Sequence, residues 1–243
     1  MRKLSVLMIG SLLAGLAQAD CTGIDASELG AFYDVQINGA ADASARHGEF
    51  ELWRRGDSVI HIRRDNGIAD YWTHTPVGLK LTRYFLAEKR GIEYQPGEVE
   101  THDGERAWSV YYQLVADALL HNMDKQGESG EGCDKLVDYS RENDGNTLTV
   151  QWREAISLPR YRLESRPDGT EVSWELTSVQ TDPAQIEETF ASLSSFDTTD
   201  YADIGDNESD PFLLKLISLG FVEHGASGFY DADGHALDGG HSH

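Results

Sequence analysis

Apolar and polar residues alternate along several stretches of the chain. Tyr33, Val35 and Ile37 alternate with polar residues, and Phe50 and Leu52 alternate with glutamates. A period of two places the apolar side chains on one face of a β-strand. Further runs of this kind, with turn residues between them, lie at 59–64, 79–86, 91–94, 135–139, 147–153, 160–164 and 171–179. We therefore predict an antiparallel sheet with one solvated face.

Between residues 106 and 122 the apolar residues recur at helical spacing instead. They are Trp108, Tyr111, Tyr112, Val115, Leu119 and Leu120. This spacing predicts one amphipathic helix that packs on the sheet. Residues 127–132 are polar and rich in glycine, so we predict a flexible link there.

Two short helices are predicted closer to the C-terminus. Asp182, followed by a proline, suits the N-cap of a helix in which Ile186 and Phe190 share the buried face. Asp210 is a second N-cap, before a helix over 211–219. The pattern as a whole predicts an α+β fold: a strongly curved antiparallel β-sheet (a half-barrel) packed on one long helix, with short C-terminal helices.

The start of the chain has the composition of a cleavable signal peptide. Two basic residues precede the apolar run 4–16, and small residues at positions 17 and 19 complete the pattern of a cleavage site after Ala19. The run is too short to cross a bilayer core of roughly 30 Å. We therefore predict an exported protein, periplasmic or secreted.

The predicted organisation has three parts. Residues 1–19 form the signal peptide, residues 20–222 form a single α+β domain, and residues 223–243 form a His- and Gly-rich tail. No later apolar stretch is long enough to span a bilayer, so we predict no integral membrane segment in the mature chain.

The chain has two cysteines, Cys21 and Cys133. In an oxidising compartment they are expected to form one intramolecular disulfide, and two free thiols are the alternative. A lipoprotein with acylated Cys21 is disfavoured, because the charged Asp20 stands where a small residue is expected.

The charge balance narrows the possible partners. The chain has 20 Lys and Arg against 42 Asp and Glu, a formal net charge of −22. Such a chain is not expected to bind the phosphate backbone of nucleic acid or to adsorb to the anionic head groups of a lipid surface. The charge would instead steer it toward a basic protein partner.

Four stretches between Gly48 and Phe190 resemble the LolA-like class of periplasmic proteins. They are GEFELWRRGD at 48–57, GIEYQPG at 91–97, Trp152-Arg153 followed by Leu158-Pro159-Arg160, and Pro167-Asp168-Gly169 leading to Trp174-Glu175-Leu176. The resemblance implies a half-open β-barrel with helices on its concave side. It also implies a carrier of lipidated or other apolar ligands.

Aromatic residues are concentrated in the first half of the chain. If the sheet curves around the predicted helix, some of them would line an apolar cavity, and the alternative is that they simply form the core. The predicted ligand-binding residues are Trp72, Tyr84, Trp108, Tyr111 and Tyr112.

The tail offers possible metal ligands. Imidazole and carboxylate groups suit zinc, copper or nickel, although no compact metal-binding motif is present. The alternative is a solvated tail without a metal. The candidate ligands are His224, Asp231, Asp233, His235, His241 and His243.

Catalytic motifs are not evident. The residues around Ser227 do not form a Gly-x-Ser-x-Gly elbow, and the sequence contains neither a phosphate-binding loop nor a dinucleotide fingerprint. A hydrolase that uses paired carboxylates is a minor alternative, because 42 acidic residues allow many pairs.

The function that these observations favour is an exported carrier-type protein that holds an apolar, lipid-like ligand in a curved-sheet cavity. The first alternative is a periplasmic metal-handling protein that uses its C-terminal tail. The second is an envelope assembly factor that binds a basic protein partner.

Overall fold

The computed structural model describes residues 23–39, 45–99, 105–207 and 209–218. Within these ranges the chain forms twelve strands and four α-helices. The strands are β1 (Glu28–Asn38), β2 (Arg46–Arg55), β3 (Ser58–Arg63), β4 (Ile68–Thr75), β5 (Gly78–Phe85), β6 (Arg90–Tyr94), β7 (Asp124–Ser129), β8 (Leu136–Asn143), β9 (Asn146–Arg153), β10 (Leu158–Ser165), β11 (Glu171–Gln180) and β12 (Asp197–Asp200). The helices are α1 (Glu105–Gln113), α2 (Asp117–His121), α3 (Pro183–Ser194) and α4 (Pro211–Ser218).

All twelve strands belong to one curved sheet that does not close on itself. The strand order is β12-β6-β5-β4-β3-β2-β1-β11-β10-β9-β8-β7. The sheet therefore consists of two antiparallel meanders, β1–β6 and β7–β11, which join where β1 pairs with β11. One edge carries a parallel strand, because β12 pairs with β6 in the same direction.

The two faces of the sheet are covered by different helices. The face that we call the inner face carries the larger hydrophobic cluster, which includes Leu52 and Leu81 and packs against α1 and α4. The opposite face, which we call the outer face, packs Trp53 and Ile60 against α3. A third, smaller cluster joins the α2 region to strands β8 and β9.

The single helix predicted over residues 106–122 is replaced by two short helices. Helix α1 ends where Leu114 adopts a left-handed conformation, with φ of 63°, and its N–H bonds Val110 O. This is a common way to end a helix. The Gln113 side chain then bonds Val115 O, and the Ser109 hydroxyl accepts from Asp117 N, so side chains stabilise the bend. The spacing of the apolar residues contains no signal for this break in the helix.

The predicted flexible link at 127–132 is also corrected. Its first half, residues 127–129, belongs to β7, an exposed edge strand that pairs with β8. Its polar residues gave no alternation, because both faces of the strand are largely exposed to solvent.

Both predicted helix N-caps are present. Asp182 Oδ1 accepts from Ala184 N at 2.9 Å, and Ile186 and Phe190 of α3 are buried. Asp210 Oδ1 accepts from Phe212 N at 2.8 Å at the start of α4. These carboxylates satisfy N–H groups that the first turn of a helix leaves without partners.

Two of the predicted domain limits lie outside the described residues, namely the signal peptide 1–19 and the tail 223–243. Among the described helices, none has the length and apolarity needed to cross a membrane.

Candidate functional site

An almost continuous row of rings crosses the inner face. Trp72 of β4 stacks on Tyr111 of α1, with ring centroids 3.8 Å apart. Tyr111 lies 6.4 Å from His61, His61 lies 5.1 Å from Phe50, and Phe50 lies 4.9 Å from Trp174. We call these five residues the aromatic row. Because its members come from strands β2, β3, β4 and β11, the row spans the junction between the two meanders.

A second group of rings lies beside the Trp72 end of the row. The His74 ring stacks on Trp108 at 5.3 Å, and Trp108 lies 5.1 Å from Tyr112. All three side chains are half-buried. Aromatic pairs at these separations contribute roughly 0.5–1.5 kcal/mol beyond the area that they bury.

Arg54 fastens the end of α1 to the sheet. Its side chain is fully buried, and it donates to four main-chain carbonyl oxygens at 2.7–2.8 Å. Burial lowers the pKa of the guanidinium to about 10. The acceptors are the carbonyls of Ala26, Tyr112, Ile156 and Ser157. The terminal carbonyls of a helix need partners outside the helix, and Arg54 supplies one for α1.

His61 satisfies a neighbouring carbonyl of the same helix. Its Nε2 lies 2.7 Å from Tyr111 O. A carbonyl oxygen can only accept, so Nε2 carries the proton of the neutral ring. Burial lowers the pKa of His61 to about 4, and the bond to Tyr111 opposes that effect only in part. His61 is therefore uncharged at neutral pH.

A buried ion cluster lies next to His61. Arg83 donates to Asp70 Oδ1 from Nε at 2.6 Å, and Arg63 donates to Asp70 Oδ2 from Nη2 at 2.8 Å. Burial alone would raise the pKa of Asp70, but the two guanidiniums lower it. The carboxylate is thus ionised and shared between two cations.

The opposite end of the aromatic row has two polar atoms without partners. Trp174 Nε1 and Arg63 Nε are buried, and neither forms a hydrogen bond with the protein. Both flank Phe50: Arg63 is its cross-strand neighbour on β3, and the Trp174 ring packs on its ring. Buried donors without acceptors are uncommon in native proteins.

The structure brings together four of the five predicted ligand-binding residues. Trp72, Trp108, Tyr111 and Tyr112 all pack in the inner cluster. Tyr84 does not join them, because it belongs to the outer cluster. There its ring lies over Gly91, where an added Cβ would be 2.7 Å from Tyr84 Cδ1. Tyr84 therefore covers a glycine on the outer face, away from the aromatic row.

Sequence reasoning did not assign functions to Arg54, Arg63, Asp70 and Arg83. A signal was nevertheless present in β5, where Arg83 has the same phase as the buried Leu81 and Phe85. A charged residue at an apolar position of a strand indicates a buried, paired charge. The pairing itself requires the register of neighbouring strands.

A cavity of about 280 Å³ opens near the start of β1. No aromatic residue lines it, so it is distinct from the aromatic row. Its lining consists of Gly23, Ile24, Asp25, Glu28, Thr181 and Pro183.

The predicted metal ligands lie outside the described residues. They are His224, Asp231, Asp233, His235, His241 and His243. Among the residues that the structure does describe, no group of three or more His, Cys, Asp or Glu side chains is arranged to hold a metal ion.

The predicted disulfide is described at one end only. Cys133 lies among the described residues, whereas Cys21 lies outside them. The Cys21–Cys133 pair therefore stays a prediction.

Comparison with known proteins gives structural similarity without sequence similarity. No protein-family model and no curated protein sequence matches the chain. A structure described as an outer membrane lipoprotein-sorting protein domain from Vibrio parahaemolyticus aligns with 69% of this chain and 92% of its own, at 11% identity and a TM-score of 0.32.

Two other solved structures are similar to the same extent. A LolA superfamily protein from Nitrosomonas europaea aligns with 67% of this chain and 90% of its own, at 11% identity and a TM-score of 0.29. The MucA/MucB complex of Pseudomonas aeruginosa aligns with 66% of this chain and 56% of its own, at 12% identity and a TM-score of 0.35.

Proposed function

We propose that the protein is an exported, carrier-type binding protein that holds an apolar, lipid-like ligand against the aromatic row. The observation that carries this proposal is the packing of half-buried Trp174 on Phe50 at the end of the row. Phe50, Trp72 and Tyr111 are buried in the core, whereas Trp174 is half-buried. An apolar chain that lies against the Trp174 end of the row would therefore bury aromatic surface that the protein leaves partly exposed. The basic and apolar N-terminal segment supports export to the periplasm.

The architecture suits a binder because the row is held in place from several directions. Arg54 and His61 fix the end of α1, and the buried Asp70 cluster fixes β3, β4 and β5. Rigid positioning lowers the ordering cost of binding.

The test is binding of a fluorescent apolar probe and of extracted envelope lipids to delipidated protein, measured by titration and native mass spectrometry. We expect Trp174→Ala to weaken binding about tenfold, equivalent to about 1.4 kcal/mol. The matched control is Phe196→Ala, a partly buried aromatic on the outer face that packs on Tyr84 at 5.8 Å. If both substitutions weakened ligand binding equally, or if neither weakened it, binding at the aromatic row would be contradicted.

The composition of the tail favours a second candidate function, which is metal handling by residues 224–243. Zinc, copper or nickel titration of the full chain and of a chain that ends at residue 222 would test it. Loss of a bound ion on truncation, with unchanged thermal stability of the domain, is the expected result. Unchanged stoichiometry would exclude the tail as the site.

The charge of the chain favours a basic protein partner as a further candidate. An electrostatically steered complex is weakened by salt, whereas retention of an apolar ligand is not. A pull-down repeated at low and high salt would separate the two candidates.

A further inference from the structure

Two unsatisfied N–H donors flank Phe50, at the end of the aromatic row. Arg63 Nε and Trp174 Nε1 are buried and without hydrogen-bond partners. Arg63 stands directly opposite Phe50 in the β2–β3 register, and the Trp174 ring centroid lies 4.9 Å from that of Phe50. One phenyl ring therefore has a donor on its β3 side and a donor on its β11 side.

The chemistry of these donors defines the complementary group. An indole N–H and a guanidinium N–H can donate but cannot accept. The Arg63 guanidinium is oriented by the bond from its Nη2 to Asp70, which keeps the side chain in place while Nε stays unpaired. Each of these atoms therefore needs an acceptor, and a charged acceptor forms the stronger bond with a guanidinium.

The charges nearby favour an anion over a neutral acceptor. Arg63 carries a positive charge and shares its carboxylate partner, Asp70, with Arg83. His61, the next ring in the row, is neutral because burial lowers its pKa to about 4. On the other side, Arg162 is the cross-strand neighbour of Trp174 and already pairs with Glu164 at 3.2 Å.

We propose that this end of the aromatic row binds the oxyanion head group of a single-chain amphiphile, whose apolar chain lies against the half-buried ring of Trp174. This inference rests on the proposed function, because the apolar chain is the ligand assigned to the row above. The carboxylate of a long-chain acid and the phosphate of a long-chain alkyl ester share the required chemistry. Arg63 Nε and Trp174 Nε1 would donate to the head group.

The experiment compares ligands that differ only in the head group. Delipidated protein is titrated calorimetrically with dodecanoate and dodecyl phosphate below their micelle concentrations, and with methyl dodecanoate below its solubility limit. Acetate and inorganic phosphate are titrated in the same way. We expect the two amphiphilic anions to bind at least about tenfold more tightly than the ester. Acetate and phosphate should show no measurable binding, because they lack the apolar chain.

The variants test the two donors separately. Arg63→Gln and Trp174→Phe should each reduce the preference for the anion about tenfold or more, while affinity for the ester changes little. Arg64→Gln is the matched control for arginine, because Arg64 is exposed and pairs with Glu51. Trp53→Phe is the matched control for tryptophan, because Trp53 Nε1 already donates to Glu51. If Arg63→Gln does not fold, Arg63→Lys keeps the charge without the Nε donor.

The possible outcomes distinguish the head-group site from the proposed function. Equal affinity for acid and ester in the wild-type protein would overturn the head-group site and leave the proposed function standing. Absence of binding by every amphiphile, the ester included, would overturn both. If inorganic phosphate or acetate bound as tightly as the long-chain anions, the site would be an anion site that does not need an apolar chain. That result would overturn the proposal that the ligand is an amphiphile.

Discussion

The guanidinium of Arg54 binds Tyr112 twice, once through its main chain and once through its ring. Nε donates to Tyr112 O at 2.7 Å, and Cζ lies 4.3 Å from the centroid of the Tyr112 ring. A single side chain of β2 therefore sets both the end of α1 and the orientation of an aromatic residue of the inner face. Its other bonds reach the start of β1 and the turn before β10, so it links both meanders.

We predict that Arg54→Met destabilises the protein by about 3 kcal/mol or more, because four carbonyls, one buried and three partly buried, lose a charged donor. Urea unfolding followed by tryptophan fluorescence measures this change. Arg160→Met is the matched control: Arg160 is exposed and lies 3.4 Å from Glu175, so a loss of at most about 1 kcal/mol is expected. Comparable losses for the two variants would refute the role assigned to Arg54.

His61 should make folding stability sensitive to mild acid. Its pKa is about 4 in the folded protein and 6.5 ordinarily, so the unfolded chain binds the proton more readily. Stability contributed by neutral His61 is complete above pH 6.5 and declines as the pH falls toward 4, by up to about 3 kcal/mol.

Unfolding free energies of the wild type and of His61→Gln at pH 7, 6, 5 and 4 isolate this contribution. The wild type should lose more stability than the variant over that interval. His47→Gln, in which the altered histidine is an exposed partner of Asp34, should follow the wild type. Parallel curves for the wild type and His61→Gln would exclude the buried histidine as the cause.

Gly30 is predicted to tolerate no larger residue. A Cβ there would lie 2.7 Å from Cε3 of Trp53, its cross-strand neighbour on the outer face. We expect Gly30→Ala to cost about 1–3 kcal/mol through overpacking. Gly127→Ala is the control, since its Cβ would meet only Asp138 Oδ2 at 3.9 Å, and a change within about 0.5 kcal/mol is expected. Thermal unfolding compares the two, and a neutral Gly30→Ala would contradict the close packing.

The predicted Cys21–Cys133 bond has a direct chemical test. Proteolysis of the exported, unreduced protein should release one disulfide-linked peptide pair that contains both cysteines, which reduction separates. Reduction should also lower stability by about 2–4 kcal/mol, because the bond closes a long loop. Recovery of both cysteines as alkylated free thiols from unreduced protein would rule the bond out.

Apolar alternation and helix-capping preferences, which use only neighbouring residues, predicted the elements that local interactions determine. The strands around Val35 and Leu52 follow from alternation, and the caps at Asp182 and Asp210 follow from the residue types that satisfy helix N-termini. The end of α1 was missed because Leu114, an ordinary helix former, adopts a left-handed conformation there. What favours that conformation lies partly in Arg54 and His61, which bond the last carbonyls of the helix from distant strands.

The candidate site was predictable in composition but not in arrangement. The sequence shows which residues are aromatic, but the face of the sheet on which each ring lies depends on the phase of its strand. Trp72 is the cross-strand neighbour of Leu81 and faces inward, whereas Tyr84, three residues beyond Leu81, faces outward. The contribution of Trp174 requires the pairing of β1 with β11, which no local pattern contains.

The junction of β1 and β11 also has a temporal consequence. Phe32 and Thr177, which bond across this junction, are 145 residues apart. As the chain emerges during synthesis, the first meander can form from local contacts, while the free side of β1 has no partner until nearly all of the sheet has been made. Throughout that interval β1 is an open template for incorrect pairing, so the new chain is most vulnerable to aggregation before β11 is available.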